Sequence, residues 1–393
     1  MCGGDTEFET FGGRRCEHMH GPVLFYDGLI CLIALLNRLL WPRLNRDREN
    51  VGPKAETFTS GRWKNLAPVA LLIPARNEAH QIRRCLEAIG TSTDSSLEII
   101  ALDDESTDDT WSVLKETKAE ANQNLTLLRG TPRPQGWRGK NWACAQLADH
   151  AGDAEILIFI DADTRLEAGA VENIRSTMLA RDIQLLSVLP RQEAHGLAAL
   201  LVYLLPWSLM AHVPLFLGRW RRKALPIAIG QVLAFQRSAY QTLGGHAAVR
   251  SAIAEDLALA RKAARMGMIG AFLDGADIAS CTMYTSWVRA WRGFQKNWCY
   301  TVGHPLLSCL IWAWLTYAFT WLPMYGLAEA CLGHLDLAAL SQWPALLWIG
   351  VCSKRYLQMP IWVFVTAPIS VALGFVLACD SWIHNARNTT IWS

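Results

Sequence analysis

The nine residues ILIFIDADT, Ile156 to Thr164, run five apolar side chains into two carboxylates, Asp161 and Asp163. An apolar run of that length reads as a buried strand. Residues two apart on a strand share a face, so both acids are expected to leave its end on the same side. Two acids so placed make a poor core, but they suit Mg²⁺ or Mn²⁺, which take few carboxylates and complete their shell with water and phosphate oxygens. The pattern is short, and capping of a following helix is the competing account. Upstream, LLIPARNEA (Leu71 to Ala79) is an apolar run broken by Pro74, with Glu78 in the opening turn of a helix. IIALDDESTDDT (Ile99 to Thr110) ends in Asp103 and Asp104, with Ser106 and Thr107 reading as a helix start. From Gly136 the chain reads GWRGKNWA, a glycine turn that presents Lys140 at a helix N-terminus. Backbone N–H groups and the ammonium both favour a phosphate there, a solvated lysine being the plain alternative.

Downstream, IAEDLALARKAARMG (Ile253 to Gly267) has helical spacing, with Leu257, Ala260, Ala264 and Met268 as its buried face and Glu255 and Asp256 at its start. Acids at that position cap the helix; they are equally placed to take a proton from an incoming hydroxyl. WRGFQKNW, Trp291 to Trp298, alternates aromatic and basic residues and includes Lys296. It either closes over a phosphate or anchors the chain at lipid head-group level.

The elements that must position these residues follow a pattern. Three apolar strands, each ending in acids and each followed by a helical stretch, predict a mostly parallel α/β sheet. Ligands of such sheets bind beyond the strands' carboxyl ends, where Glu78, Asp104 and Asp163 fall. The 393 residues are 51% hydrophobic and 18% charged, an imbalance that points to membrane segments. Pro22 to Trp41, with Asp27 and Arg38 as its charges, is long enough to span a bilayer as an uncleaved anchor. Three more candidates lie at about His304 to Leu332, Leu337 to Ser353 (short enough to be re-entrant) and Pro360 to Trp382. Gly196 to Lys223 is apolar and proline-broken, carries Trp207 and ends in GRWRRK. It reads as an interfacial segment, with a buried core helix as the alternative. The expected division is an unstructured start over 1–21 with Met19 as an alternative start, an anchor over 22–41 and a linker over 42–66. A catalytic domain over 67–300 contains the 196–223 segment, and about three spans follow over 304–382. Lysine and arginine clusters after the first span, before the second and between the last two place the catalytic domain in the cytoplasm with both termini outside. Arg14, Arg15 and Arg387 oppose that arrangement. Eleven cysteines without a CxxC pair read as buried apolar residues in a reducing setting, and a net charge of +2 gives no case for nucleic acid.

As an ordered set, PxxNE, DDxSTDDT, GKxxA, DAD and ED resemble the family 2 glycosyltransferases, inverting enzymes of the GT-A fold, over about Pro68 to Trp298. GWRGKNWA, the ED helix, Met283-Tyr284 and GFQKN, with an anchor before and helices after, more narrowly resemble the hopene-associated glycosyltransferases of bacterial hopanoid pathways and related carotenoid-modifying enzymes. The resemblance implies that Glu78 and Asp104, with Pro74 of the same motif as Glu78, serve the nucleoside. It implies that Asp163 with Asp161 binds the metal on the diphosphate, that Lys140 meets phosphate or nucleotide, and that Asp256 is the base. Polymer synthases and ceramide glucosyltransferases of the family carry QxxRW; here the stretch is Gln295-Lys296-Asn297-Trp298, which leaves Lys296 as the cationic substitute and weighs against polymer synthesis. The expected protein is a multi-pass enzyme of the bacterial inner membrane. It moves a hexosyl group from a nucleotide-diphosphate sugar, expected to be a UDP-sugar, to a lipid hydroxyl such as a hopanoid's, with Mg²⁺ or Mn²⁺. Transfer to a polyprenyl phosphate, a non-catalytic sugar-binding or scaffold protein, and a transporter are the alternatives. The last is weakened because Asp27 and Glu329 are the spans' few central charges.

Overall fold

The computed structural model describes residues 13–44, 67–89, 96–121, 124–220, 223–358 and 361–387. Most of the expected linker and the first twelve residues of the expected unstructured start lie outside these. Strands β1 (Val69–Ala75), β2 (Leu97–Asp103), β3 (Leu125–Arg129), β4 (Ile156–Ile160), β6 (Leu185–Leu189), β8 (Val232–Gln236) and β9 (Gly270–Asp274) form one sheet in the order β3-β2-β1-β4-β8-β6-β9. Every neighbouring pair is parallel except the two made by β8, which runs against both β4 and β6. β1 and β4 are buried at every position, as expected of strands covered on both faces. Pro74 is tolerated inside β1 because pairing with β4 ends at Leu72, so its missing N–H breaks no ladder bond.

A smaller sheet holds β5 (Thr164–Leu166), β7 (Arg191–Glu193), β10 (Ala279–Cys281) and β11 (Leu357–Gln358) in the order β11-β7-β10-β5. Its role is positional: β5 starts directly after the Asp-x-Asp turn and pairs antiparallel with β10, setting Thr164 opposite Cys281.

Among the described residues, three helices are long and apolar enough to cross a membrane: Pro22–Leu40, Pro305–Cys331 and Ala367–Ala386. The first belongs to a helix that begins at Gly13, inside the stretch expected to lack structure. Helix Gln342–Ser353, inside the third candidate span with its re-entrant alternative, has 12 residues and rises about 18 Å, well short of a bilayer core. It packs beside the first helix. Ser341 Oγ donates to Asp27 at 3.2 Å, Gln342 donates to the same carboxylate, and Arg38 donates to the Val351 carbonyl at 3.2 Å. The chain then reaches the small sheet through β11. The last helix is tied to helix Trp287–Gln295 and the residue after it: Asn385 Nδ2 donates to the Lys296 carbonyl at 3.1 Å, and Asp380 accepts from Trp291 and Gln295 at 2.7 Å each.

The 196–223 segment is corrected as well. Its helices Ala198–Val202 and Leu204–His212 are enclosed by the first helix, helix 342–353 and the last helix, and Trp207 is fully buried with its ring edge-on to Phe319 at 5.5 Å. The run is apolar all round because helices surround it, which is the core-helix alternative. At its far end Leu217 and Trp220 are exposed. The proline break leaves backbone groups without helical partners, and the buried Asn37 of the first helix satisfies them. It donates to the Met210 and Val213 carbonyls at 3.0 and 2.7 Å and accepts from Phe216 N–H at 2.9 Å. Asp274, at the end of β9, joins the membrane-adjacent segments to the main sheet by accepting from Arg43 (3.2 Å), Arg355 (2.9 Å) and Tyr356 (3.2 Å).

Candidate active site

β4 ends at Ile160, so Asp161 and Asp163 stand in the turn beyond it rather than on one strand face. The Asp161 N–H bonds the Gln231 carbonyl at 3.3 Å, and Thr164 N–H closes the turn onto the Asp161 carbonyl at 3.0 Å. The two side chains take different partners. Asp161 Oδ1 is 2.7 Å from Lys140 Nζ, while Asp163 Oδ1 accepts from the Cys281 thiol at 3.4 Å.

Lys140 is the second residue of helix Gly139–Asp149 and also lies 2.8 Å from Glu255 Oε1. Its place is fixed by a neighbour that sequence reading missed. The buried amide of Asn141 donates to the Val249, Arg250 and Ala252 carbonyls at 2.7, 3.2 and 3.2 Å, tying the glycine turn to the loop before helix Glu255–Arg265. That helix buries Leu259, Ala260 and Ala263, a face rotated from the expected one through Leu257, Ala260 and Ala264. Gly230 was missed too. A Cβ there would meet Lys140 Nζ at 3.2 Å, Asp256 Oδ2 at 3.3 Å and Glu255 Oε1 at 3.4 Å, so these three groups converge on a backbone with no side chain.

Asp256 accepts from Gly230 N–H at 2.7 Å and from Leu257 N–H at 2.6 Å, so it satisfies a free N–H in the first turn of its helix, whose N-cap is Ala254. Burial, and then the Glu255 charge, push its carboxyl up to about 7. Burial works against the charge of Glu255 too, but the Lys140 ammonium outweighs it and holds that carboxyl below its ordinary range.

Glu78 lies in the turn after β1, which Asn77 enters with φ at 57°. The DDESTDDT loop pins that turn: Thr107 N–H donates to Asn77 Oδ1 at 2.8 Å, and Thr110 Oγ1 accepts the Glu78 N–H at 2.8 Å. Ser106 and Thr107 thus serve the neighbouring loop and do not start a helix; the helix begins at Thr110, whose N–H bonds Asp108 Oδ1 at 3.0 Å. Burial, and then the Asp161 charge, raise Glu78 to about 7. Asp104 is buried with Arg76 at 3.5 Å, and burial raises its carboxyl. Lys296 is lowered by burial and by Arg76, while Glu78 pulls the other way. Pro74 is buried within β1. Gln295 and Trp298 are occupied structurally, through Asp380 and through a 3.1 Å bond from Trp298 to the Gly374 carbonyl.

The donor chemistry fits a hard divalent cation. Burial, and then the charges of Asp161 and Glu78, hold the Asp163 carboxyl well above its ordinary value, as expected of acids crowded together with one ammonium among them. Among the described residues no three His, Cys, Asp or Glu side chains form a complete metal cage. Asp163 and Asp161 would supply two ligands at most, leaving the rest of the shell to water and phosphate.

Residues 70–243 match the family model described as Glycosyl transferase family 2. Among solved structures, a mannosyltransferase from Pyrobaculum calidifontis in complex with GDP-Man and Mn²⁺ aligns with a TM-score of 0.54 at 18% identity, over 94% of this chain and 99% of that one. GalNAc-T7 with UDP, GalNAc and Mn²⁺ aligns with a TM-score of 0.44 at 16% identity, over 60% of this chain and 50% of that one. No curated protein sequence matches the chain. The sheet order, the acid turn after β4 and the alignment with the mannosyltransferase together give the chain the GT-A fold, and its residues 70–243 match the glycosyl transferase family 2 model.

Proposed function

We propose that the protein is a membrane-attached inverting glycosyltransferase that moves a sugar from a nucleotide-diphosphate donor to a hydroxyl of a lipid. The observation that carries this reading is the junction beyond the end of β4, where Lys140 and the Asp161–Asp163 turn of the matched segment meet Glu255 and Asp256, which follow it in the chain. Glu78, Asp104 and Lys296 are assigned to the nucleoside, and Lys140 to the diphosphate. A divalent cation held by Asp163 and Asp161 supplies charge neutralisation on the departing diphosphate. Asp256, with a carboxyl near neutrality, takes the proton of the acceptor hydroxyl as it attacks the sugar from the opposite face. Helices that pack directly on the domain favour an acceptor drawn from the membrane. The sequence resemblance makes a hopanoid-type alcohol its first candidate, in the bacterial inner membrane with the domain cytoplasmic. Both UDP- and GDP-sugars are donor candidates, since the similar fold from Pyrobaculum calidifontis holds GDP-Man with Mn²⁺.

A second reading has its own support. Both Asp256 oxygens are already engaged by backbone N–H groups, and an acceptor that is itself anionic, a polyprenyl phosphate, needs no base. One assay separates the two. Purified protein is incubated with a panel of UDP- and GDP-sugars and Mn²⁺, and nucleotide release is measured with no lipid, a lipid alcohol or a polyprenyl phosphate, each repeated with EDTA. Release stimulated by the lipid alcohol and abolished by EDTA is expected; no release with any donor removes the enzymatic reading.

A further inference from the structure

Beneath Asp163 runs a line of buried polar groups that the reading above does not use. Gln192 and Gln231 are both buried, and their side-chain amides pair: Gln192 Nε2 donates to Gln231 Oε1 at 2.8 Å, and Gln231 Nε2 donates to Gln192 Oε1 at 3.1 Å. Gln192 Nε2 also donates to the Pro190 carbonyl at 3.0 Å, which fixes the orientation of its amide. Gln231 Nε2 has a second proton, and it goes to Cys281 Sγ at 2.9 Å. The sulfur is therefore an acceptor on that side. Its own hydrogen reaches Asp163 Oδ1 at 3.4 Å, with the buried Thr164 hydroxyl also beside the sulfur. Cys281 is fully buried at the end of β10, and the register with β5 holds it opposite Thr164, the residue after Asp163.

Two amides and a thiol buried in a sheet junction add nothing to apolar packing, and buried polar groups of this kind are retained where each has a partner and the chain ends on something that needs orienting. Here it ends on the carboxylate assigned to the metal. We propose that Cys281 is a positioning residue for the divalent-cation site. Its S–H, aimed by the Gln192–Gln231 pair, holds one oxygen of Asp163 and leaves the other turned toward the cation and diphosphate. The inference rests on the proposed metal reading of Asp163. Groups that orient a metal ligand in this way are typically worth 10- to 100-fold in metal affinity.

The test is Mn²⁺ binding by the full-length protein in detergent with UDP or GDP present, followed by the electron paramagnetic resonance signal of free Mn²⁺. Cys281→Ala should weaken Mn²⁺ binding by about 10- to 100-fold, and Cys281→Ser, which keeps a donor, should restore it to within about threefold. Gln231→Met, which leaves the thiol unaimed, should fall between them. Wild-type affinity in Cys281→Ala, or a Cys281→Ser variant as weak as Cys281→Ala, overturns the proposal. A second measurement needs no destabilising change. The infrared difference spectrum of the wild-type protein should show an S–H stretching band shifted by Mn²⁺ and nucleotide, absent in Cys281→Ser, and an unshifted thiol region counts against the proposal. If the wild-type protein binds no Mn²⁺ at all, the metal reading itself fails, and that result is distinct from a wild type that binds and a Cys281→Ala variant that binds equally well.

Discussion

At the scale of single residues, the site is a contest of charges. Lys140 bridges Asp161 and Glu255, so a divalent cation approaching Asp161 meets an ammonium already there. Lys140→Met should consequently tighten binding of Mn²⁺ alone while weakening binding of the nucleotide diphosphate roughly 10- to 100-fold, the size of one or more lost charge-assisted hydrogen bonds. Titration calorimetry with Mn²⁺ and with UDP or GDP reads both; if Mn²⁺ and nucleotide affinities fall together, the competition is absent. Asp256 gives the pH dependence. It accepts a proton only as the carboxylate, so with its carboxyl at about 7 the rate should fall about tenfold per pH unit below that value and level off above it. Asp256→Asn keeps the shape and much of the capping. It should leave donor affinity intact, lower turnover by about 10²-fold or more, and remove the acid limb. A variant with a normal rate returns Asp256 to capping alone and favours the anionic acceptor.

At the scale of elements, sequence carried the sheet and lost the contacts between its loops. β1, β2 and β4 were legible because a continuous apolar run that stops at an acid suits a buried strand meeting a polar edge and suits little else, and the acids do gather at one edge. The start of the helix at Thr110 was misjudged because Ser106 and Thr107 spend their side chains on Asn77 and Asp108 reaches Ala79, partners that no local pattern reveals. Asn141, Gly230 and the Gln192–Gln231–Cys281 line were invisible for the same reason: each works on residues far away in sequence. Asn37 is the clearest such case among the helices, a polar residue whose burial makes sense only once the proline break at Pro214 is placed beside it. Asn37→Ala should destabilise by on the order of 1–3 kcal/mol for each backbone group left without a partner. A thermal midpoint in detergent unchanged from wild type would show that water replaces the amide and that the helix break is not held from the first span.

At the scale of the whole molecule, the question is how a soluble site and a membrane assembly come to act together. The helices are not a detached anchor. Asp274 grips both membrane-adjacent segments, the small sheet takes β11 from the C-terminal part, and the last helix ends on Lys296. The proline-broken segment lies between the two, and its burial changes which residues can report on lipid. Trp207 sits at the centre of the helical core, so Trp207→Ser should cost about 3–5 kcal/mol of stability and lower activity with every acceptor alike. Leu217 and Trp220 are the exposed apolar residues at the end of the same segment, 38% and 63% accessible, next to the basic run that reads as a head-group contact. Serine at both positions should leave the thermal midpoint and nucleotide affinity unchanged, because neither residue is packed inside, and should raise the apparent KM for a lipid acceptor. Kinetics with a lipid alcohol in mixed micelles, set against a water-soluble acceptor, make the comparison. If the lipid KM does not move, the acceptor reaches the site by another face. If a water-soluble acceptor serves as well as the lipid in both proteins, the helices hold the domain at the membrane without delivering the substrate.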